Sequence, residues 1–155
     1  MPLIERWRSW PVRDVVIDSS VAIAWVLDDE PAHDAAVRFM GALGDGVFDP
    51  VFAAHFRFEV RHALVRAARR GRVDWADLPR WLEALDALEA TVAALPETDE
   101  PVLELARRHQ LTWSDAHWVD VSARLDIPLV TADLRLIRSV PDEVAILVDV
   151  RDAAA

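Results

Sequence analysis

Short apolar runs rich in β-branched residues alternate along this chain with longer stretches of helical period, and that alternation most constrains the fold. The run at 14–18, DVVID, places Val15, Val16 and Ile17 side by side. A run this short, with no polar alternation, suits a strand buried on both faces. IPLVTAD at 127–133 and VAILVDV at 144–150 have the same character, and ATVAAL at 90–95 is a further candidate. Helical patterns lie between them. One covers 20–28, and Pro31 opens a second that runs to about 43. A long one over about 52–70 stops at Gly71, a residue suited to a helix C-terminus. The segment 73–88 is helical with Pro79 near a boundary or kink, and 98–109 starts from Thr98 or Asp99. Residues 112–126 form a helix capped by Thr112 or Ser114, and 134–139 a short one. GDGVFDP at 44–50 reads as a loop with room for a short strand. Strands alternating with helices predict an α/β fold with a mostly parallel central sheet flanked by helices.

A length of 155 residues suits one domain with a substantial core. It is expected over 14–150, after an extension at 1–13 that carries Trp7, Trp10 and Pro11 and before a tail at 151–155. Hydrophobic residues make up 53%, which argues against disorder. The longest clean apolar run, 21–27, is too short to cross a bilayer, and the N-terminus has no secretory pattern. There are no cysteines, so disulfides, thiolate metal sites and cysteine nucleophiles are excluded. These features predict a cytoplasmic protein without a membrane partner. All 17 basic residues are arginine. With no lysine, a phosphate-loop lysine and a Schiff base are equally excluded. Any chemistry here runs on carboxylates, histidines, hydroxyls and arginines.

The net charge of −10 opposes a polyanionic partner, but it is unevenly spread. Between His55 and Arg72 lie six arginines (57, 61, 66, 69, 70 and 72) and one acid, Glu59; between Asp74 and Glu104 lie nine acids and one arginine, Arg80. A solvated helix face explains either segment alone. Together they also permit a basic surface on an acidic protein.

Four acids stand apart from that background. Asp18 and Asp133 each follow an apolar strand, and ligands in open parallel sheets bind outside the carboxyl ends of strands. Either residue alone is equally explained as a helix cap. Glu59 falls within the apolar stripe Phe52, Phe56, Val60, Ala63 and Ala67, where an unpaired carboxylate is costly. Asp115 opens a helix on the face of Trp118, Val119 and Ser122. Clustered carboxylates need protons or cations to offset their repulsion. With oxygen donors dominant the matching cation is Mg²⁺ or Mn²⁺, which suits phosphodiester hydrolysis.

These segments resemble the PIN domain family, in particular the VapC-like toxins. VVIDSSVAIAWVLDDE is similar to the family's opening strand, with the first acid at Asp18 and a hydroxyl at Ser19 or Ser20. FRFEVRHALVRAARRG resembles the second motif, with Glu59. LTWSDAHWVDVSARLDIPLVTADLRL resembles the third and fourth, with Asp115, Asp133 and the hydroxyl of Thr131. The resemblance implies a three-layer α/β/α fold and a Mg²⁺- or Mn²⁺-dependent endoribonuclease. It implies an RNA substrate, a cognate antitoxin and a homodimer. Asp18, Glu59, Asp115 and Asp133 would be the catalytic metal ligands, supported by Ser19, Ser20 and Thr131. Arg57, Arg61, Arg66, Arg69 and Arg70 would meet phosphates. Two features depart from the pattern: Ser114 stands where an aromatic often precedes the third acid, and the tryptophan-bearing extension is long. A non-cleaving binding module and a structure-specific DNA nuclease are the alternatives. A dehalogenase-like phosphatase would need a second Asp where Ser20 stands. A di-iron bundle would need a second Glu-x-x-His beside Glu59 and His62.

Overall fold

The computed structural model describes residues 13–154. Residues 1–12 of the expected extension, with Trp7, Trp10 and Pro11, lie outside the described residues. Five strands form one all-parallel sheet: β1 (Asp14–Ile17), β2 (Asp49–Phe52), β3 (Thr91–Val92), β4 (Leu129–Thr131) and β5 (Leu147–Asp149), in the order β3-β2-β1-β4-β5. The connections supply α1 (Ser19–Val26), α2 (His33–Gly44), α3 (Phe56–Arg69), α4 (Leu78–Asp86), α5 (Glu100–His109), α6 (Trp113–Leu125) and α7 (Leu134–Ser139). A last turn, α8 (Val150–Ala153), follows β5 directly and packs on α2, with Val150 buried. This is the α/β arrangement expected, with every strand pair parallel.

Val15, Val16 and Ile17 are all essentially inaccessible. Successive side chains of a strand point to opposite faces, so helices must cover both sides of β1. Leu129 and Val130 of β4 are equally buried. The helices use the apolar stripes read from the sequence. Trp118 of α6 is fully buried, and Trp25 of α1 meets Trp81 of α4 edge to face at 5.1 Å.

Two boundaries differ from the sequence pattern. The long helix begins at Phe56, because Asp49–Phe52 forms β2 beside β1. Phe52 fits the helical stripe in phase, yet its ring belongs to the strand and stacks on Phe56 at 3.9 Å across the intervening turn. The ATVAAL segment contributes only Thr91–Val92, an exposed edge strand. The helix stop at Gly71 is as expected: its φ is +71°, a conformation that costs glycine little.

The strand order places a topological switch at β1. The chain leaves β1 for β2 and β3 on one side, then returns to pair β4 with β1 on the other. A crevice at the carboxyl ends of β1 and β4 follows from that reversal.

Phe56 links β2, α3 and α6, since its ring also meets Trp118 at 5.9 Å. Phe56→Ala should lower unfolding free energy by about 3–5 kcal/mol, measured as a shift of the urea midpoint followed by tryptophan fluorescence; an unchanged midpoint would show that this ring is not a core anchor.

Candidate functional site

Asp18 closes β1 and caps α1. Its backbone N–H donates to Val130 O at 3.0 Å, which extends the β1–β4 pairing by one residue. That register brings Thr131 beside it. The Thr131 hydroxyl donates to Asp18 Oδ2 at 2.6 Å, and the Ser20 hydroxyl donates to the same oxygen at 2.7 Å. Each hydroxyl is in turn held by a backbone N–H: Ala132 donates to Ser20 Oγ and Asp133 to Thr131 Oγ1, both at 3.0 Å. Both hydroxyls therefore have fixed orientations. Ser19 is also buried, but its hydroxyl stands 3.4 Å from Oδ1, a weak contact. Of the two serines, Ser20 makes the short bond. Asp18 Oδ1 is left with 3.4 Å contacts only.

Asp133 follows β4 and caps α7, accepting from Arg135 N at 2.8 Å and Leu136 N at 3.2 Å. Asp115 stands in the first turn of α6, which Thr112 caps. Arg135 spans the two acids, 3.4 Å from Asp115 Oδ2 and 3.8 Å from Asp133 Oδ2. Glu59, in the first turn of α3, approaches from the other side of β1. Ser114 donates to its Oε1 at 2.9 Å. The serine that replaces an aromatic thus binds the second acid directly. Glu59 Oε2 is buried without a hydrogen-bond partner, 3.6 Å from His55 Nε2.

The four acids share one electrostatic neighbourhood. Burial pushes the Asp18 carboxyl up to about 6; the Thr131 and Ser20 hydrogen bonds oppose this, and the charge of Glu59 adds to it. Burial also raises Asp115, with Thr112 and Arg135 opposing and Asp133 and Glu59 reinforcing. Among the described residues, however, no three acids or histidines stand close enough together to ligate one ion. The donor chemistry still suits a hard cation: carboxylate oxygens throughout, with Asp18 Oδ1 weakly engaged and Glu59 Oε2 unpartnered.

The arginines divide. Arg57 and Arg61, on successive turns of α3, both bind the Asp86 carboxylate at the end of α4. Arg66, Arg69 and Arg70 are exposed and make no ion pair among the described residues; Arg66 lies roughly 10 Å along the helix from Glu59. Arg135, Ser114 and His55 were not among the expected site residues. The signal for Arg135 was its place two residues after Asp133. Asp120 was also overlooked: it is buried on α6 and paired with Arg124 at 3.2 Å.

A three-layer α/β protein with Asp18 and Asp133 at the ends of the two strands beside the switch point has the architecture of a nuclease-type fold. Residues 15–142 match the PIN domain family, and the chain belongs to it. It is similar to the crystal structure of PAE2754 from Pyrobaculum aerophilum, with a TM-score of 0.68 and 25% identity over 91% of this chain and 93% of that one. No curated protein matches. PIN domains are generally nucleases that bind nucleic acid and typically use divalent metals. Among the described residues no helix is long and apolar enough to cross a membrane.

Because the raised Asp18 pKa favours the protonated form in the folded state, ionising this group costs stability. Without added metal, the contribution of Asp18 to stability should fall as pH rises from 3.8 to about 6 and level off above, by roughly 3 kcal/mol. Asp115 contributes with the same sign. Asp18→Asn should remove that contribution and, relative to the wild type, unfold at higher denaturant above that range. Parallel denaturation curves for the two proteins across pH would reveal no difference in slope if burial did not strain this carboxylate.

Proposed function

We propose that the protein is a metal-dependent endoribonuclease, the toxin of a toxin–antitoxin pair, acting in the cytoplasm. The observation that carries this is the Asp18 carboxylate, buried at the switch point and aimed by two hydroxyls whose own orientations are fixed. Such an arrangement costs stability and secures the position of one oxygen atom. Asp18, Glu59, Asp115 and Asp133 would hold Mg²⁺ or Mn²⁺, directly or through water. The bound cation supplies charge stabilisation for the phosphate undergoing attack.

The chain's own residues have separable parts. Thr131 and Ser20 orient Asp18 and lessen the cost of its charge. Ser114 holds one Glu59 oxygen and so leaves the other for the site. Arg135 offsets charge on Asp115 and Asp133, and its exposed guanidinium can turn toward a phosphate. Arg66, Arg69 and Arg70 would guide the RNA backbone along α3. Arg57 and Arg61 contribute only if they are released from Asp86. The cognate antitoxin and the homodimer follow from the family resemblance to VapC-like toxins.

Purified protein incubated with structured RNAs should cleave them in Mg²⁺ or Mn²⁺ and not in EDTA, and Asp18→Asn should be inactive while folded. Cleavage in EDTA, or by Asp18→Asn, would remove the metal-site assignment. Thr131→Val leaves every acid in place but removes the hydroxyl that aims Asp18. It should weaken Mn²⁺ binding or activity about ten- to hundredfold, read by calorimetric titration beside the cleavage assay; wild-type affinity and rate would show that Thr131 is not a positioning residue.

A further inference from the structure

A groove of about 360 Å³ opens at the amino ends of β2 and β3, the end of the sheet away from Asp18. Leu43 near the end of α2, Phe48 just before β2 and Leu88 between α4 and β3 give it an apolar lining. The Phe48 ring stacks on Phe39 at 5.5 Å, which holds it in place. The charged lining residues are Asp49 and Glu89, with no basic side chain beside them. Arg13 is fastened to the rim. Its guanidinium donates to Gly46 O and, through Nε, to Val47 O at 3.2 Å, and Nε stands 3.7 Å from Asp49 Oδ2. Its carbonyl accepts from Asp49 N at 3.0 Å. Gly46 and Asp49 themselves line the groove, so residue 12 joins the described fold at the groove's edge.

The residues directly before Arg13 suit this groove. They read RWRSWPV at 6–12. Trp10 is three residues from Arg13, a span of about 10 Å in extended chain, so its indole is within reach. Pro11 fixes its own φ and disfavours helical backbone at Trp10, which leaves fewer conformations to lose on docking. Arg6 and Arg8 complement the Asp49 and Glu89 carboxylates. A segment on so short a tether is present at an effective concentration of about millimolar, which favours it over a free partner. We propose that the groove is the docking site of the chain's own segment 6–12, with the Trp10 indole seated against Phe48 and Leu88. Burial of an indole supplies a large apolar contact there. Docking ties the α2–β2 and α4–β3 connections to the entry of β1. The assignment concerns the end of the sheet opposite the acids and is independent of the nuclease reading.

The test uses the full chain. It has no cysteine, so Glu89→Cys supplies a single thiol, at an exposed position of the groove, for a bimane label. Bimane emission is quenched by a tryptophan in contact with it. Trp10→Phe in the labelled chain should raise the emission, and an excess of unlabelled wild-type protein should not restore the quenching. In the unlabelled chain, Trp10→Ala should lower the urea midpoint and Trp10→Phe should recover most of the loss. Emission indifferent to Trp10→Phe, or a midpoint unchanged by Trp10→Ala, would overturn the docking. Quenching restored by added wild-type protein would also overturn it, and would assign the groove to the same segment of a second copy.

Discussion

The hydrogen bond from Thr131 to Asp18 Oδ2, at 2.6 Å, is the contact on which the crevice depends. It requires β4 beside β1 in a single register, with Ile17 opposite Val130. A slip of one residue would turn Thr131 to the other face of the sheet and leave Asp18 buried without its stronger partner. The contact is therefore a packing constraint as well as a polar one. The apolar β1 and β4 fix the register through burial on both faces, and the register then delivers the hydroxyl.

The other site groups are positioned by the elements that enter and leave these strands. Glu59 arrives on the helix after β2, the neighbour of β1 on the other side. Asp133 arrives on the turn after β4. Asp115 comes from α6, whose fully buried Trp118 sets its depth against the sheet. Two strand ends and two helices thus converge on a region whose charges are mutually unfavourable. Protein donors lessen that cost only in part: two hydroxyls for Asp18, a serine for Glu59, and one exposed arginine between Asp115 and Asp133. The cation proposed for these acids would relieve what remains.

Much of this was legible in the sequence, for a physical reason. Asp18 and Asp133 sit at the ends of short β-branched runs, and Glu59 interrupts a helical apolar stripe, so position and period single out all three. The β2 boundary was hidden because Phe52 lies in phase with Phe56 and Val60, while Asp49 and Pro50 look like a turn. The edge strand was overextended because a run of small apolar residues does not reveal where pairing stops. Arg135 bridges two acids that only the tertiary fold brings together, and the sequence between them contains no period that joins them. The groove beside Arg13 was equally inaccessible: it depends on where the chain from 87 to 89 settles against the turn before β2.

Asp18 and Thr131 are separated by 113 positions along the chain. Local structure can form early in α1 or α3, but closing a loop of that length is slow and brings no reward until the central strands pair. The crevice is therefore expected to form late in folding, after the local helices. A chain that folds in this order holds its four acids apart until the central strands have paired.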